Sequence, residues 1–344
     1  MIDRRTFTRV LSLSAAAAAL PSRRARALLS SAVKPKHLEP GDRVAIVSPA
    51  SAAFEDDDIA IAKELLEAIG LQPVISPHAF DRHGYFAGRD EHRAKDLNRA
   101  FADRSIAGIF CYTGGWGSAR LLPLLDYDVI RRNPKVLIGY SDITALLNAI
   151  YQETGLITFH GPVASSSFDT YSLENFRNVV MTPKPAGMLA PPPKRPNDLI
   201  DRTNRVLRLT RGKASGRLVG GNLTIISTLM GTPWELDTRG AIVFLEDVRE
   251  DLYRIDRMLT QLALAGKFDQ AAGVVFGRCS DCGYRGPTFS LEEILRERFG
   301  SLRIPAVSGL SFGHIEPKLT LPVGARATLD ADAGTLTIDE AAVQ

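Results

Sequence analysis

Between Arg43 and Gly161 the chain alternates short apolar runs with amphipathic stretches, and this alternation limits the fold more than any other feature. Arg43-Val-Ala-Ile-Val-Ser48 reads as a buried strand. An acidic start from Glu55 to Asp58 opens a helix. Its apolar residues Ile59, Ala62, Leu65, Leu66 and Ile69 keep helical spacing, and Gly70 ends it. Pro73–Ser76, Ile106–Cys111 and Val136–Gly139 follow as strands, with helices expected over Asp90–Phe101, Ser118–Leu125 and Ile143–Gln152. Strands that alternate with helices in this way form a parallel, doubly wound sheet covered on both faces.

The alternation stops near His160-Gly-Pro162. Between residues 183 and 197 stand six prolines (183, 185, 191, 192, 193 and 196), which suit an extended connection. Beyond it come a helix from Leu223 to Met230, a strand Ala241–Leu245, an amphipathic helix Tyr253–Leu264, a strand Gly273–Phe276 and short strands near 325–329 and 335–338. The expected organisation is an N-terminal α/β domain over 38–163, a proline-rich connection over 164–212, and a C-terminal α/β domain with a mixed sheet over 213–344. Such a chain, 344 residues with 45% hydrophobic and 24% charged, buries a full core without staples.

The formal charge of +3 is unevenly placed. Residues 1–27 hold six Arg against Asp3, a net of +5, which leaves −2 for the rest. Asp3-Arg4-Arg5-Thr6-Phe7-Thr8-Arg9, a weakly apolar run Val10–Leu20 and the small-residue site Ala25-Arg26-Ala27 have the layout of a twin-arginine export signal. A basic N-terminal helix is the alternative. The apolar run is too short for a membrane span of about 20 residues, and no other stretch approaches one. The expected location is therefore periplasmic or otherwise exported. With the basic charge confined to the leader and no basic stripe interleaved with aromatics, nucleic acid is not an expected partner.

Chemistry is expected where strands end. In Lys135-Val-Leu-Ile-Gly-Tyr-Ser-Asp-Ile-Thr144 an apolar strand runs into Gly139, then Ser141, then a helix. A serine on such a turn points into the crevice at the strand ends, and the N–H groups after it can hold an oxyanion. This is the logic of the nucleophile elbow, with Ile143 in place of the second glycine. The alternative is a serine that only caps the helix. Cys111-Tyr-Thr-Gly-Gly-Trp-Gly-Ser118, at another strand end, fits an oxyanion-hole loop or a plain turn, and lacks dinucleotide or Walker spacing.

A serine nucleophile needs a base, and the base an acid. Of the six His, His314 in the loop Ser311-Phe-Gly-His-Ile-Glu-Pro317 leads and His160 is second, with His37, His78, His83 and His92 expected at the surface. Glu246, directly after Ile242-Val-Phe-Leu245, is the candidate acid, and Asp247 competes with it. Cys279-Ser-Asp-Cys282 has no second pair for structural zinc and suits a local disulfide outside the cytoplasm.

Together these segments resemble the LD-carboxypeptidase family of serine peptidases, which also holds the microcin-immunity peptidases. The resemblance rests on Gly41-Asp-Arg-Val-Ala-Ile-Val-Ser-Pro49, Thr113-Gly-Gly-Trp-Gly-Ser118, Ile138-Gly-Tyr-Ser-Asp142, His160-Gly-Pro162, Gly220-Gly-Asn-Leu223, Phe244-Leu-Glu-Asp247, Tyr253-Arg-Ile-Asp-Arg-Met-Leu259, Phe312-Gly-His314 and Leu319-Thr-Leu-Pro322. It implies a triad of Ser141, His314 and Glu246, an oxyanion hole from the N–H groups of Gly115 and Asp142, no metal or other cofactor, and often a homodimer. The implied reaction removes terminal D-Ala from peptidoglycan-derived tetrapeptides, at the bond from the L-centre of diaminopimelate. Two alternatives stand beside it: hydrolysis of a peptidyl- or aminoacyl-nucleotide antibiotic on the same fold, and a non-catalytic periplasmic peptide binder. The sequence departs from the family pattern at Thr113 (often Arg), Trp116 (commonly Tyr) and Lys318 (frequently Asn), and in its leader.

Overall fold

In a computed structural model of the chain, residues 32–53, 55–194, 199–201, 203–283 and 286–344 are described. Residues 1–27, read above as an expected export leader, and Pro196 lie outside them. The first strands are β1 (Arg43–Val47), β2 (Gln72–Ile75), β3 (Gly108–Cys111), β4 (Val136–Gly139) and β5 (Thr158–His160). β3, β4 and β5 are buried along their whole length, as strands covered on both faces must be, and this explains their near-continuous apolar sequence. Helices α1 (Asp56–Ile69), α2 (Asp90–Ala102), α3 (Tyr127–Arg132) and α4 (Thr144–Thr154) alternate with them. A capping box between Glu55 and Asp58 starts α1, and Gly70 in the left-handed conformation ends it.

The rest of the chain adds α5 (Thr170–Phe176), β6 (Gly187–Met188), β7 (Leu207–Arg208), β8 (Lys213–Asn222), α6 (Leu223–Thr228), β9 (Ala241–Val248) and α7 (Leu252–Leu264). β10 (Gly273–Ser280), α8 (Leu291–Phe299), β11 (Ala306–Ser308), β12 (Leu321–Val323), β13 (Arg326–Asp330) and β14 (Thr335–Ile338) complete it. The six-stranded sheet has the order β12-β5-β4-β3-β1-β2, and the eight-stranded sheet β6-β14-β13-β8-β9-β10-β11-β7. The expected α/β architecture, with a mixed second sheet, is therefore present.

Three details differ from the sequence reading. The first sheet is not wholly parallel, because β12 returns from the C-terminal part and pairs antiparallel with β5, Leu321 opposite His160. The segment expected as a helix over Ser118–Leu125 is a 3-10 helix, Ser118–Leu124, with Pro123 inside it. A proline removes a donor that an α-helix would use. Within 164–212, Pro191–Lys194 run without helix or strand, while α5, β6 and β7 flank them and the two strands close the edges of the second sheet.

The two sheets share packing. Asn148 of α4 donates from Nδ2 to the Gly220 carbonyl (2.8 Å) and accepts the Gly220 N–H on Oδ1 (3.2 Å), so one side chain satisfies both backbone groups of a β8 residue. Thr144 Oγ1 accepts the N–H of Asn222 at 2.9 Å. Leu146, Ile150, Val219, Leu223, Phe244 and Val275 lie in one continuous apolar core. Cys279 and Cys282 form a local disulfide at the end of β10. No helix among the described residues is long and apolar enough to cross a membrane.

Candidate active site

β4 delivers Ser141. The strand stops at Gly139, and a single 3-10 turn, Ser141–Ile143, leads into α4. Ser141 holds φ at 65°, a left-handed value in a residue with a Cβ. Such a conformation costs on the order of 1–3 kcal/mol and persists only where its surroundings enforce it. Gly114 leaves the room that this conformation needs. A Cβ there would sit 2.6 Å from Ser141 Cβ and 2.9 Å from its Oγ, so the glycine-rich loop lies directly against the nucleophile candidate. Ile143 occupies the place of the second elbow glycine, and the small residue the turn requires stands on the strand side, at Gly139 under the Ile143 side chain.

The glycine-rich loop is stitched to this turn. The buried Asp142 carboxylate accepts the Ser118 N–H at 2.7 Å, and Ser118 Oγ donates to the Asp142 carbonyl at 2.5 Å. Burial pushes the Asp142 carboxyl up, and the Ser118 hydrogen bonds oppose this. Gly115, at φ 110°, faces Ser51 across the loop. The Ser141–Asp142 turn and the glycine-rich loop thus form one unit at the ends of β3 and β4, tied by the Ser118–Asp142 hydrogen bonds.

A second unit comes from the other sheet. Glu246, fully buried near the end of β9, accepts a hydrogen bond from His314 Nδ1 at 2.7 Å. With that N–H committed to the carboxylate, the neutral ring keeps Nε2 as its proton acceptor. His160, from the end of β5, brings Nε2 to 3.8 Å from the other Glu246 oxygen. Burial pushes the Glu246 carboxyl up, but the imidazoles of His160 and His314 outweigh it and bring it to about 2. Glu246 therefore stays ionised at any working pH.

The two units meet at Tyr140, whose ring lies 4.9 Å from that of His314. Among the described residues no hydrogen bond joins Ser141 to His314. Catalytic hydrogen bonds are often long before substrate binds and tighten in the complex. His314 and Tyr140 line a cavity of about 440 Å³ together with Arg249, Ser280, Glu316 and Lys318. Lys318 Nζ sits 4.2 Å over the Tyr140 ring and 3.1 Å from Glu316. The wall thus carries two cations, each with a carboxylate beside it: Lys318 with Glu316, and Arg249 with Asp281 at 4.0 Å. Asp247, the competing acid, faces away from this pair. It accepts hydrogen bonds from Asn222 Nδ2 (3.0 Å) and from the N–H and hydroxyl of Thr224 (both 2.9 Å), and so serves the start of α6.

The sequence reading ranked His160 only as a rival base and gave Tyr140 no part. Their register held a signal: β5 neighbours β4 in parallel, with His160 opposite Gly139, so both strands end at the same edge. Among the described residues, one triangle of His and carboxylate groups has metal-binding proximity, and it lies outside this site, between the connection from β2 to α2 and the first turn of α2.

The family model for the LD-carboxypeptidase N-terminal domain matches residues 44–161, and that for the C-terminal domain matches residues 215–329. The chain is 36% identical over 317 residues to the probable murein peptide carboxypeptidase of Bacillus subtilis, covering 89% of this chain and 94% of that protein. It superposes with a TM-score of 0.83 on the wild-type apo structure of the microcin C7 self-immunity protein MccF, at 29% identity, covering 91% of this chain and all of that one. The muramoyltetrapeptide carboxypeptidase of Oxalobacter formigenes matches with a TM-score of 0.74 and 29% identity, over 86% of this chain and 97% of that one.

Proposed function

The chain belongs to the LD-carboxypeptidase family and is a serine-type carboxypeptidase, and from that premise we propose that Ser141, His314 and Glu246 cleave the amide between an L-centre and a terminal D-Ala in peptidoglycan-derived tetrapeptides. The observation that carries the assignment of residues is the 2.7 Å bond between a fully buried carboxylate and the imidazole on the cavity wall, against Tyr140, the chain neighbour of a serine held at φ 65°.

In this reading Ser141 Oγ attacks the amide carbonyl while His314 Nε2 takes its proton. The oxyanion rests on the N–H groups of Gly115 and Asp142, which the Ser118–Asp142 hydrogen bonds hold in place before substrate arrives. Collapse breaks the C–N bond, and the proton on His314 leaves with the D-Ala amine. Water then attacks the acyl-enzyme, with His314 again as base. Glu246 keeps the imidazole in one tautomer and stabilises its cation. Arg249 and Lys318, the cations on the cavity wall, are the groups that would exchange their carboxylate partners Asp281 and Glu316 for the free carboxylate of the peptide.

Ser141→Ala tests the reading. It should lower kcat by on the order of 10⁴–10⁶-fold and leave the melting temperature near that of the parent. Activity retained in that variant contradicts the assignment. The likeness to MccF, whose structure is also known in complex with aspartyl sulfamoyl adenosine, supports a second substrate class, a peptidyl- or aminoacyl-nucleotide amide. Turnover of a muropeptide tetrapeptide and of an aminoacyl-nucleotide conjugate, measured side by side, separates the two.

A further inference from the structure

The connection from β2 to α2 carries a cluster that hydrolysis does not use. Asp81 Oδ2 accepts a hydrogen bond from Nδ1 of His78 and another from Nδ1 of His92, each at 2.9 Å. The two imidazoles stack, with centroids 4.2 Å apart and planes 25° from parallel. The three potential ligand atoms all lie within 4.8 Å of one another. In a tetrahedral site with metal–ligand bonds of about 2.0–2.2 Å, neighbouring ligand atoms stand roughly 3.3 Å apart. Each 2.9 Å edge has to open by only a few tenths of an ångström for an ion to replace the two bridging protons.

The ligands are also held. Asp96, 4% exposed, accepts the His78 backbone N–H at 2.8 Å. Gly88, at φ 95°, lets the backbone close onto Asp81, since a Cβ there would stand 2.8 Å from Asp81 Cβ. His92 is fixed in the first turn of α2. The side chains of His78, Asp81 and His92 are 26%, 37% and 44% exposed, so a hydrated ion can reach them.

The geometry points to a binding site for one divalent transition-metal ion, with His78, Asp81 and His92 as ligands and water in the fourth position. Two imidazole nitrogens and one carboxylate oxygen suit Zn²⁺ and its neighbours better than Mg²⁺ or Ca²⁺. Its role is to fasten the loop to α2. Further along that loop Ala87 donates its N–H to the Ala50 carbonyl at 2.9 Å. Phe86 packs against Gly117 of the glycine-rich loop, with the Arg93 and Arg120 guanidiniums over its ring at 4.8 and 5.0 Å. An ion in the triangle thus steadies the wall behind the oxyanion loop.

Calorimetric titration of the chelator-treated chain with Zn²⁺ tests this, with Co²⁺ absorption reporting geometry. The expected result is one ion per chain, a tetrahedral Co²⁺ spectrum and a higher Tm with Zn²⁺. Affinity should fall about 100-fold in Asp81→Asn and in His92→Ala, and stay at the parent value in His83→Ala on the same loop. X-ray absorption of the Zn²⁺-loaded parent, which needs no variant, should count two imidazoles. Absence of saturable binding, fewer than two imidazoles, or undiminished affinity in both ligand variants overturns the proposal.

Discussion

His160 carries a testable consequence at the scale of single residues. Both its ring nitrogens are buried without a hydrogen-bond partner among the described residues, and so is Oε1 of Glu246, 3.8 Å away. Leaving such groups unsatisfied is costly unless the arrangement has a use. Its position suggests that it holds Glu246 ionised and aligned, acting on His314 through the carboxylate. His160→Leu should then lower kcat about tenfold, roughly 1.4 kcal/mol, with KM unchanged. His160→Gln, which keeps an N–H for Oε1, should recover most of that loss. Steady-state kinetics decide; a fall in stability with kcat intact in the leucine variant makes the residue purely structural. Ser141, Glu246 and His314 stand out as candidates in the sequence because each lies at or near the end of an apolar run or in a glycine- and proline-bounded loop. The share of His160 in Glu246 is not legible there, because an apolar context such as Leu156-Ile-Thr-Phe-His160 describes a core histidine and a positioning one equally well.

Asp247 shows how an element depends on a titrating group. Burial, and after it the neighbouring Glu246 charge, push its carboxyl up to about 6 from an ordinary 3.8. A raised folded-state value means the folded chain binds the proton more tightly, so Asp247 costs stability above about pH 6 and the cost fades as the pH falls towards 4. Glu246 has the opposite sign: its contribution is complete above about 4.5 and drains away as the pH falls towards 2. Denaturant unfolding of the parent and of Asp247→Asn at pH 7 and pH 4 separates them. The parent should gain about 2 kcal/mol on the variant over that range. A constant difference contradicts the buried, capping role of Asp247 at α6. Among whole elements, β3 and β4 were readable because burial on both faces leaves an unbroken apolar run. α3, α5 and β12 were not. They are 6, 7 and 3 residues long, too short for a period to show, and β12 exists only because a distant β5 offers it an edge.

At the scale of the molecule, the charge is unevenly divided along the chain. The +3 of the full chain becomes −2 once residues 1–27 are set aside. We propose on that pattern that the enzyme is exported through the twin-arginine route and matures near Ala27. N-terminal sequencing of material from outside the cytoplasm should begin close to Leu28, and a chain that retains Arg4 and Arg5 there contradicts it. In the proposed mechanism the two sheets divide the chemistry: the nucleophile and oxyanion loop come from the first sheet, the acid and base from the second and its loops, and the cavity is lined by Tyr140 and His314, one from each. That convergence is the central claim, and muropeptide mass spectrometry tests it most directly. Incubated with the protein, tetrapeptide muropeptides should lose a single D-Ala and yield tripeptides, and Ser141→Ala should leave them untouched. Tetrapeptides that remain intact with the parent enzyme, or that are trimmed equally by the variant, contradict the account.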